Sequence, residues 1–409
     1  MLKQSADFWR LFGADFILRT AYQMGKTPVL PLFAAAIGAG QMLIGSIVAV
    51  STVTGMLLKP VIGGLSDRWG RQLWLWLALA LFAGTPFLYQ FVTTPDALFL
   101  LRLFHGTATA IFGPVTLAYI IEMGREERAT RLGWFEMARS GGYFFAPAIT
   151  GWLLTILPPE QVFTIIGVLS SIAFVPIAFM KHAATPLQAQ RGQRPSLWRQ
   201  FASGFGHTAS RIELWFASSL EVTVYCVTYG LKAFLPIFAV QEAGFSVLAA
   251  GLFFTVQEAA HMLTRPLGGR LGDRSGYLPA ISGGMAVMGA ALLLLPTTTT
   301  GAELVAVAVL SGIAQGLIFP STVALVGNAV SASHTGLGLG VYGTMKNLGK
   351  VIGPVATGGL LELLSYGTVF RTLAGFILLA ALLVLLTHRQ RQRAYFTCDG
   401  NQRTISGKK

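Results

Sequence analysis

Long apolar runs alternate with short polar turns along almost the whole chain. A helix needs about 20 apolar residues to cross a bilayer. Twelve runs meet that need, at residues 14–36, 42–64, 72–92, 97–121, 131–156, 161–180, 213–240, 246–268, 278–296, 301–327, 336–361 and 367–387. The pattern predicts an all-α membrane protein with 12 transmembrane helices. One polar stretch, residues 59–72, reads K-P-V-I-G-G-L-S-D-R-W-G-R-Q. A charged turn between two spanning helices has to lie at a membrane surface. Gly63 and Gly64 read as the end of a helix, and Asp67, Arg68 and Arg71 as charge in a very short turn. The same design returns 206 positions later as R-P-L-G-G-R-L-G-D-R-S-G-Y. Pro60 matches Pro266, Gly63 matches Gly269, Leu65 matches Leu271, Asp67 matches Asp273, Arg68 matches Arg274 and Gly70 matches Gly276. Such self-similarity marks an internal repeat. The first six and last six spans are therefore two parallel six-helix repeats.

Composition agrees with burial in lipid. Of 409 residues, 53% are hydrophobic and 11% charged, against about 25% charged in soluble domains. The net charge of +13 raises the question of nucleic acid. However, Arg68, Arg71, Arg125, Arg128, Arg131, Arg270, Arg274, Arg389, Arg391 and Arg393 all fall in one alternate set of turns and the tail. The opposite turns hold only Arg371. That asymmetry is what orients membrane helices, so no nucleic-acid partner is expected and both termini are expected in the cytoplasm. The first apolar run is interrupted by Arg19 and Lys26 and lacks a small-residue cleavage site, so it reads as a retained helix and not a signal peptide. The expected division is a first half at 1–182, a cytoplasmic linker at 183–208 with a short surface helix near 197–205, a second half at 209–388, and a polar, disordered tail at 389–409. Cys226 and Cys398 give neither a disulfide framework nor metal spacing.

The run G-x-L-x-D-R-x-G-R from Gly63 to Arg71 resembles the signature between helices 2 and 3 of the major facilitator superfamily. Arg102, His105 and Gly106 resemble the helix 4 signature R-x-x-Q-G, with His105 in place of glutamine. Gly133, Gly142, Pro147 and Gly151 resemble the helix 5 glycine signature of the drug/proton antiporters, with Ala146 and Thr150 where that signature has glycine. Gly340, Gly349, Gly353, Pro354 and Gly358 repeat it 207 positions on. The resemblance implies a transporter whose halves rock about a central site, with the charged turns as a cytoplasmic gate. It implies no enzyme activity and no cofactor. Independently of the resemblance, small residues let helices approach closely.

Ionisable residues within apolar runs are costly and mark candidate solute pathways. Asp15, Arg19, Tyr22 and Lys26 share one face of the first helix. Glu221, Tyr225, Thr228 and Lys232 do the same on the seventh, and helices 1 and 7 line the cavity in the family resembled. Arg102 and His105, Glu136 and Arg139, Glu258 and His261, and Lys346 and Lys350 add further charge. Gly338, Gly340 and Gly343 spell G-x-G-x-x-G, but a dinucleotide site needs a strand before them. The reading is proton-coupled export of a small amphiphilic, zwitterionic or anionic solute by a monomeric carrier of the inner membrane. Bases outnumber acids among the candidates, which argues against a simple lipophilic cation. Proton-coupled uptake of an organic anion is the alternative within transport. A non-transporting sensor or assembly component is the alternative outside it.

Overall fold

A computed structural model describes residues 2–123, 128–180, 212–329 and 335–406. The expected linker, and the surface helix within it, lie outside these residues. The elements are α1 (Leu2–Met24) and α2 (Val29–Ala36), which together make the first span, then α3 (Gln41–Trp69), α4 (Arg71–Leu88), α5 (Pro95–Glu122) and α6 (Arg128–Leu153). The sixth span is α7 (Pro159–Ile172) with α8 (Phe174–Ala178). The second half holds α9 (Ile212–Ile237), α10 (Val247–Ser275), α11 (Tyr277–Leu294), α12 (Gly301–Ala329), α13 (Thr335–Leu361) and α14 (Tyr366–Ser406). The fold is all-α, with 12 spans in two helical bundles. Nine spans among the described residues are long and apolar enough to cross a membrane. The other three, α1–α2, α6 and α13, carry Asp15, Arg19 and Lys26, Glu136 and Arg139, and Lys346 and Lys350 within or beside the helix.

Two expectations are corrected. Gly63 and Gly64 do not end a helix; α3 continues through them to Trp69. A glycine inside a helix weakens it by only about 1 kcal/mol and removes no hydrogen bond. The connection to α4 is Gly70 alone, at φ +84°. Gly276, at φ +91°, links α10 to α11 in the same way. Only a residue without Cβ takes that conformation at little cost, so one glycine both ends a helix and turns the chain. The second correction concerns the tail. Instead of ending near 387, α14 runs on to Ser406. The sequence there is rich in arginine and glutamine, good helix formers, and contains no proline.

The opposite helix ends are set by caps. Thr94 accepts from the backbone N–H of Ala97 at 3.3 Å, ahead of Pro95 in the first turn of α5. Ser246 caps α10 through the N–H of Ala249 at 3.1 Å. Each orphan N–H satisfied in this way stabilises its helix by about 1 kcal/mol.

The two bundles touch chiefly through α3 on α13 and α6 on α10. These contacts lie at the end away from the charged turns. Gly45 in the first turns of α3 faces the backbone of Pro354, and Gly358 faces the backbone of Gln41 and Met42. Gly151 and Gly251 meet almost backbone to backbone, with Pro147 beside them. A side chain at any of these four glycines would meet main chain, so glycine sets the approach. Polar groups complete the seal. Glu362 Oε1 accepts from Met42 N at 3.1 Å, the Tyr366 hydroxyl donates to Gln41 Oε1 at 3.1 Å, and Thr255 Oγ1 donates to the carbonyl of Phe144 at 2.9 Å. One apolar cluster runs through the seal from Leu30, Phe33 and Ile47 to Leu231, Phe234 and Phe253. Large apolar side chains such as Leu100, Leu263, Phe376 and Leu383 face outward, as a lipid-covered surface requires.

Candidate transport cavity

Below the seal the bundles part around a cavity of about 320 Å³ that opens to solvent. It reaches toward the charged turns, where Lys59 on α3, Gly113 on α5 and Gly343 on α13 line it. Two smaller recesses adjoin it, and Tyr143 on α6 and Tyr229 on α9 belong to the walls of all three.

Among the described residues, the wall of the main cavity carries six cations, Arg19, Lys26, Lys59, Arg139, Lys346 and Lys350, and no carboxylate. Two have acids behind or beside them. Asp15, one helical turn before Arg19, is fully buried and accepts from Arg19 Nε at 2.6 Å. Glu136 accepts from Arg139 Nη1 at 3.1 Å on α6. Three of the four wall lysines, Lys26, Lys346 and Lys350, instead lie over tyrosine rings. Lys26 Nζ is 4.6 Å from the centre of Tyr22, and Lys346 and Lys350 are each 5.2 Å from that of Tyr225. Lys350 also lies 5.2 Å from Tyr229, which it shares with Lys232 at 5.4 Å. A ring face holds an ammonium by its quadrupole without neutralising it. The positive charge of the wall therefore stays available to a solute.

Arg102 on α5 is fully buried in the wall of the recess next to the seal. Its Nη2 donates to Ser51 Oγ at 2.9 Å and its Nη1 to the Tyr89 hydroxyl at 3.5 Å. No carboxylate forms a salt bridge with it among the described residues. His105, one turn later, lies behind the wall. Its Nδ1 is 3.1 Å from the Tyr89 hydroxyl, and Tyr22 packs edge-on against it at 5.4 Å between ring centres. The third compartment holds the acids. The Tyr342 hydroxyl donates to Oε1 of the fully buried Glu221, whose Oε2 has no hydrogen-bond partner among the described residues. Glu258 Oε1 is 3.4 Å from His261 Nδ1.

The Major Facilitator Superfamily profile matches residues 15–256 and 219–397. The chain belongs to this superfamily. A Methanocaldococcus jannaschii protein described as an uncharacterized MFS-type transporter is 22% identical over 382 residues, covering 93% of this chain and 95% of its own. Multidrug resistance protein 1 of Bacillus subtilis is 22% identical over 346 residues, covering 82% and 85%. The crystal structure of nucleoside transporter NupG superposes with a TM-score of 0.79 at 16% identity, over 93% of this chain and 98% of that one. As a superfamily member, the protein is a multi-pass membrane transporter of small molecules and not an enzyme.

Of the sequence candidates, Arg19, Tyr22, Lys26, Arg102, Glu136, Arg139, Glu221, Tyr225, Lys232, Glu258 and Lys346 reach the cavity or its recesses. Asp15 and His105 do not; each stands behind a wall residue one turn away on its own helix or packed against it. The side chains of Asp67 and Arg68 lie outside the described residues. Their counterpart Asp273 accepts from the Tyr277 hydroxyl at 3.2 Å. Within the glycine motifs, Gly142 packs on the backbone of Arg19 and Thr20, and Gly349 and Gly353 pack on α9 at Val222 and Cys226. Gly63 and Gly133 have no neighbour within 4 Å, and Gly269 only Pro320, so these three are not close-approach positions. The surroundings of Gly340 lie outside the described residues. Thr150, in place of a motif glycine, donates to the carbonyl of Met24 at 3.3 Å and ties α6 to the end of α1.

Sequence reasoning missed Lys59, Tyr143 and Tyr229. Lys59 lies within the expected span 42–64, but it opens the charged stretch 59–72 and reads as part of that turn. Tyr143 lies one turn after Arg139 on α6, and Tyr229 one turn after Tyr225 on α9. That i, i+4 spacing places both on a face already marked as polar.

Proposed function

We propose that this protein exports a small organic anion by alternating access, with protons as the coupling ion. The observation that carries the reading is the main cavity wall, which among the described residues has six cations and no carboxylate. A lipophilic cation entering it would meet unopposed like charge in a low dielectric. In this reading the open mouth faces the cytoplasm, because basic turns stay on that side. Both termini and the linker at 183–208 lie there too, and the seal is the periplasmic gate. Export loads solute through the cytoplasmic mouth, and the halves then rock so that the glycine seal opens. Glu221 carries the coupled proton, since its free Oε2 is buried next to the cavity and its Oε1 already has a donor. The name of the Bacillus relative, multidrug resistance protein 1, supports the direction.

The test is competition for transport in reconstituted vesicles between size-matched organic anions and quaternary ammonium ions, at two imposed pH gradients. Anions are expected to compete, and the flux to follow the proton gradient. Inhibition by the ammonium ions alone, unchanged in Lys59→Gln and Lys346→Gln, would refute the reading.

A further inference from the structure

The lysines of the cavity come from both bundles. Lys26 follows α1 and Lys59 lies on α3 in the first half, while Lys346 and Lys350 lie on α13 in the second. No carboxylate lies within 4.0 Å of any of these four among the described residues. Arg19 and Arg139 differ from them in having Asp15 and Glu136. Nor do acids of the neighbouring compartment restore balance. Glu221 is held by Tyr342 and Glu258 faces His261, while that compartment adds the further cation Lys232. Two carboxylates match at most two of these five lysines, so a single negative charge on the solute leaves the site strongly positive.

Geometry sharpens the point. Lys346 and Lys350 each place an ammonium 5.2 Å from the centre of the Tyr225 ring. They sit one turn apart on one helix. Alternating access closes the mouth by bringing the first-half lysines toward this pair. Like charges resist that closure unless something of opposite sign lies between them. Resting on the anion reading above, we propose that the transported solute carries two or more negative charges, as carboxylate or phosphate groups, which bridge Lys346 and Lys350 to Lys26 and Lys59. The solute is then the electrostatic link that lets the loaded carrier occlude.

The test measures binding to the full-length purified protein of benzoate, isophthalate, trimesate and phenyl phosphate, with benzyltrimethylammonium as the cationic control. Isophthalate or phenyl phosphate is expected to bind at least about tenfold more tightly than benzoate, with trimesate no weaker than isophthalate. The better of isophthalate and phenyl phosphate identifies the anionic group. In the double variant Lys346→Gln, Lys350→Gln the preference is expected to shrink to about threefold or less. The charge-keeping variant Lys346→Arg, Lys350→Arg is expected to retain it. Equal binding of benzoate and isophthalate, or a preference that survives the glutamine variant, overturns this inference and leaves the anion reading standing. Binding of benzyltrimethylammonium and of none of the anions overturns both.

Discussion

Arg102 is the residue with most at stake, because a fully buried guanidinium without a carboxylate is held only by Ser51, Tyr89 and the rings around it. Hydrogen bonds to a charged group contribute about 1.5–3 kcal/mol each. Arg102→Ala is therefore expected to lower transport at least about tenfold in vesicle flux measurements, with Arg102→Lys intermediate, since lysine loses the fixed fork of donors and sheds its proton in an apolar site. Full flux in both variants would make Arg102 a packing residue. Glu221 and Asp15 occupy matching positions of the repeat, yet their settings differ. Asp15 is matched by Arg19, whereas Glu221 takes the Tyr342 hydroxyl and forms no salt bridge among the described residues. Glu221→Gln is accordingly expected to abolish the dependence of flux on the pH gradient while downhill exchange of solute persists. Asp15→Asn is expected to keep that dependence and to change solute affinity instead, through the released Arg19. A pH-gradient response that survives Glu221→Gln and disappears in Asp15→Asn would reverse the assignment.

Single glycines decide what the helices do at their ends. Gly70 and Gly276 each carry a whole interhelical connection at positive φ. Forcing an L-residue into that region costs about 1–2 kcal/mol. Gly70→Ala and Gly276→Ala are expected to lower the thermal midpoint of the purified protein, and Gly63→Ala, in open space, to leave it unchanged. At the opposite end Gly151 and Gly251 let α6 and α10 meet. Gly151→Leu has no room, so the seal is expected to part. A cysteine placed at Val48, in the wall of the recess beneath the seal, reports this by faster labelling with an impermeant thiol reagent from the sealed side. No change in labelling would mean that the glycine contact does not hold the gate.

Across the whole molecule, the contacts between bundles that set the closed end are helix pairs near one surface, while the mouth stays open at the other. Transport by rocking requires that this seal come apart in every cycle. Thr255 Oγ1 lies 3.1 Å from the backbone nitrogen of Ala148, which brings α6 and α10 close enough for a cross-link trial. With Cys226 and Cys398 first replaced by serine, Ala148→Cys with Thr255→Cys is expected to oxidise to a disulfide that stops transport, and reductant to restore it. Full flux in the oxidised protein would show that this end does not open.

The sequence by itself determined the number of spans, the repeat and the charged turns, because burial in lipid forces each apolar run into a self-satisfied helix. It also marked most of the cavity residues, since an ion in mid-helix has few other places to go. It did not determine where α3 or α14 ends. Glycine pairs and arginine-rich tails are compatible with helix, and only a positive φ at Gly70, or chain continuity to Ser406, settles the matter. Nor did it separate wall from backing. Asp15 and Arg19 share a helix face, but only the packing of α6 and α7 against α1 puts Arg19 in the cavity and Asp15 behind it. Tertiary structure alone decided that Lys26 and Lys59 face the same space as Lys346 and Lys350. Those residues lie between 287 and 324 positions apart in the chain. Their meeting depends on how two bundles dock, through glycines whose contacts no local pattern records.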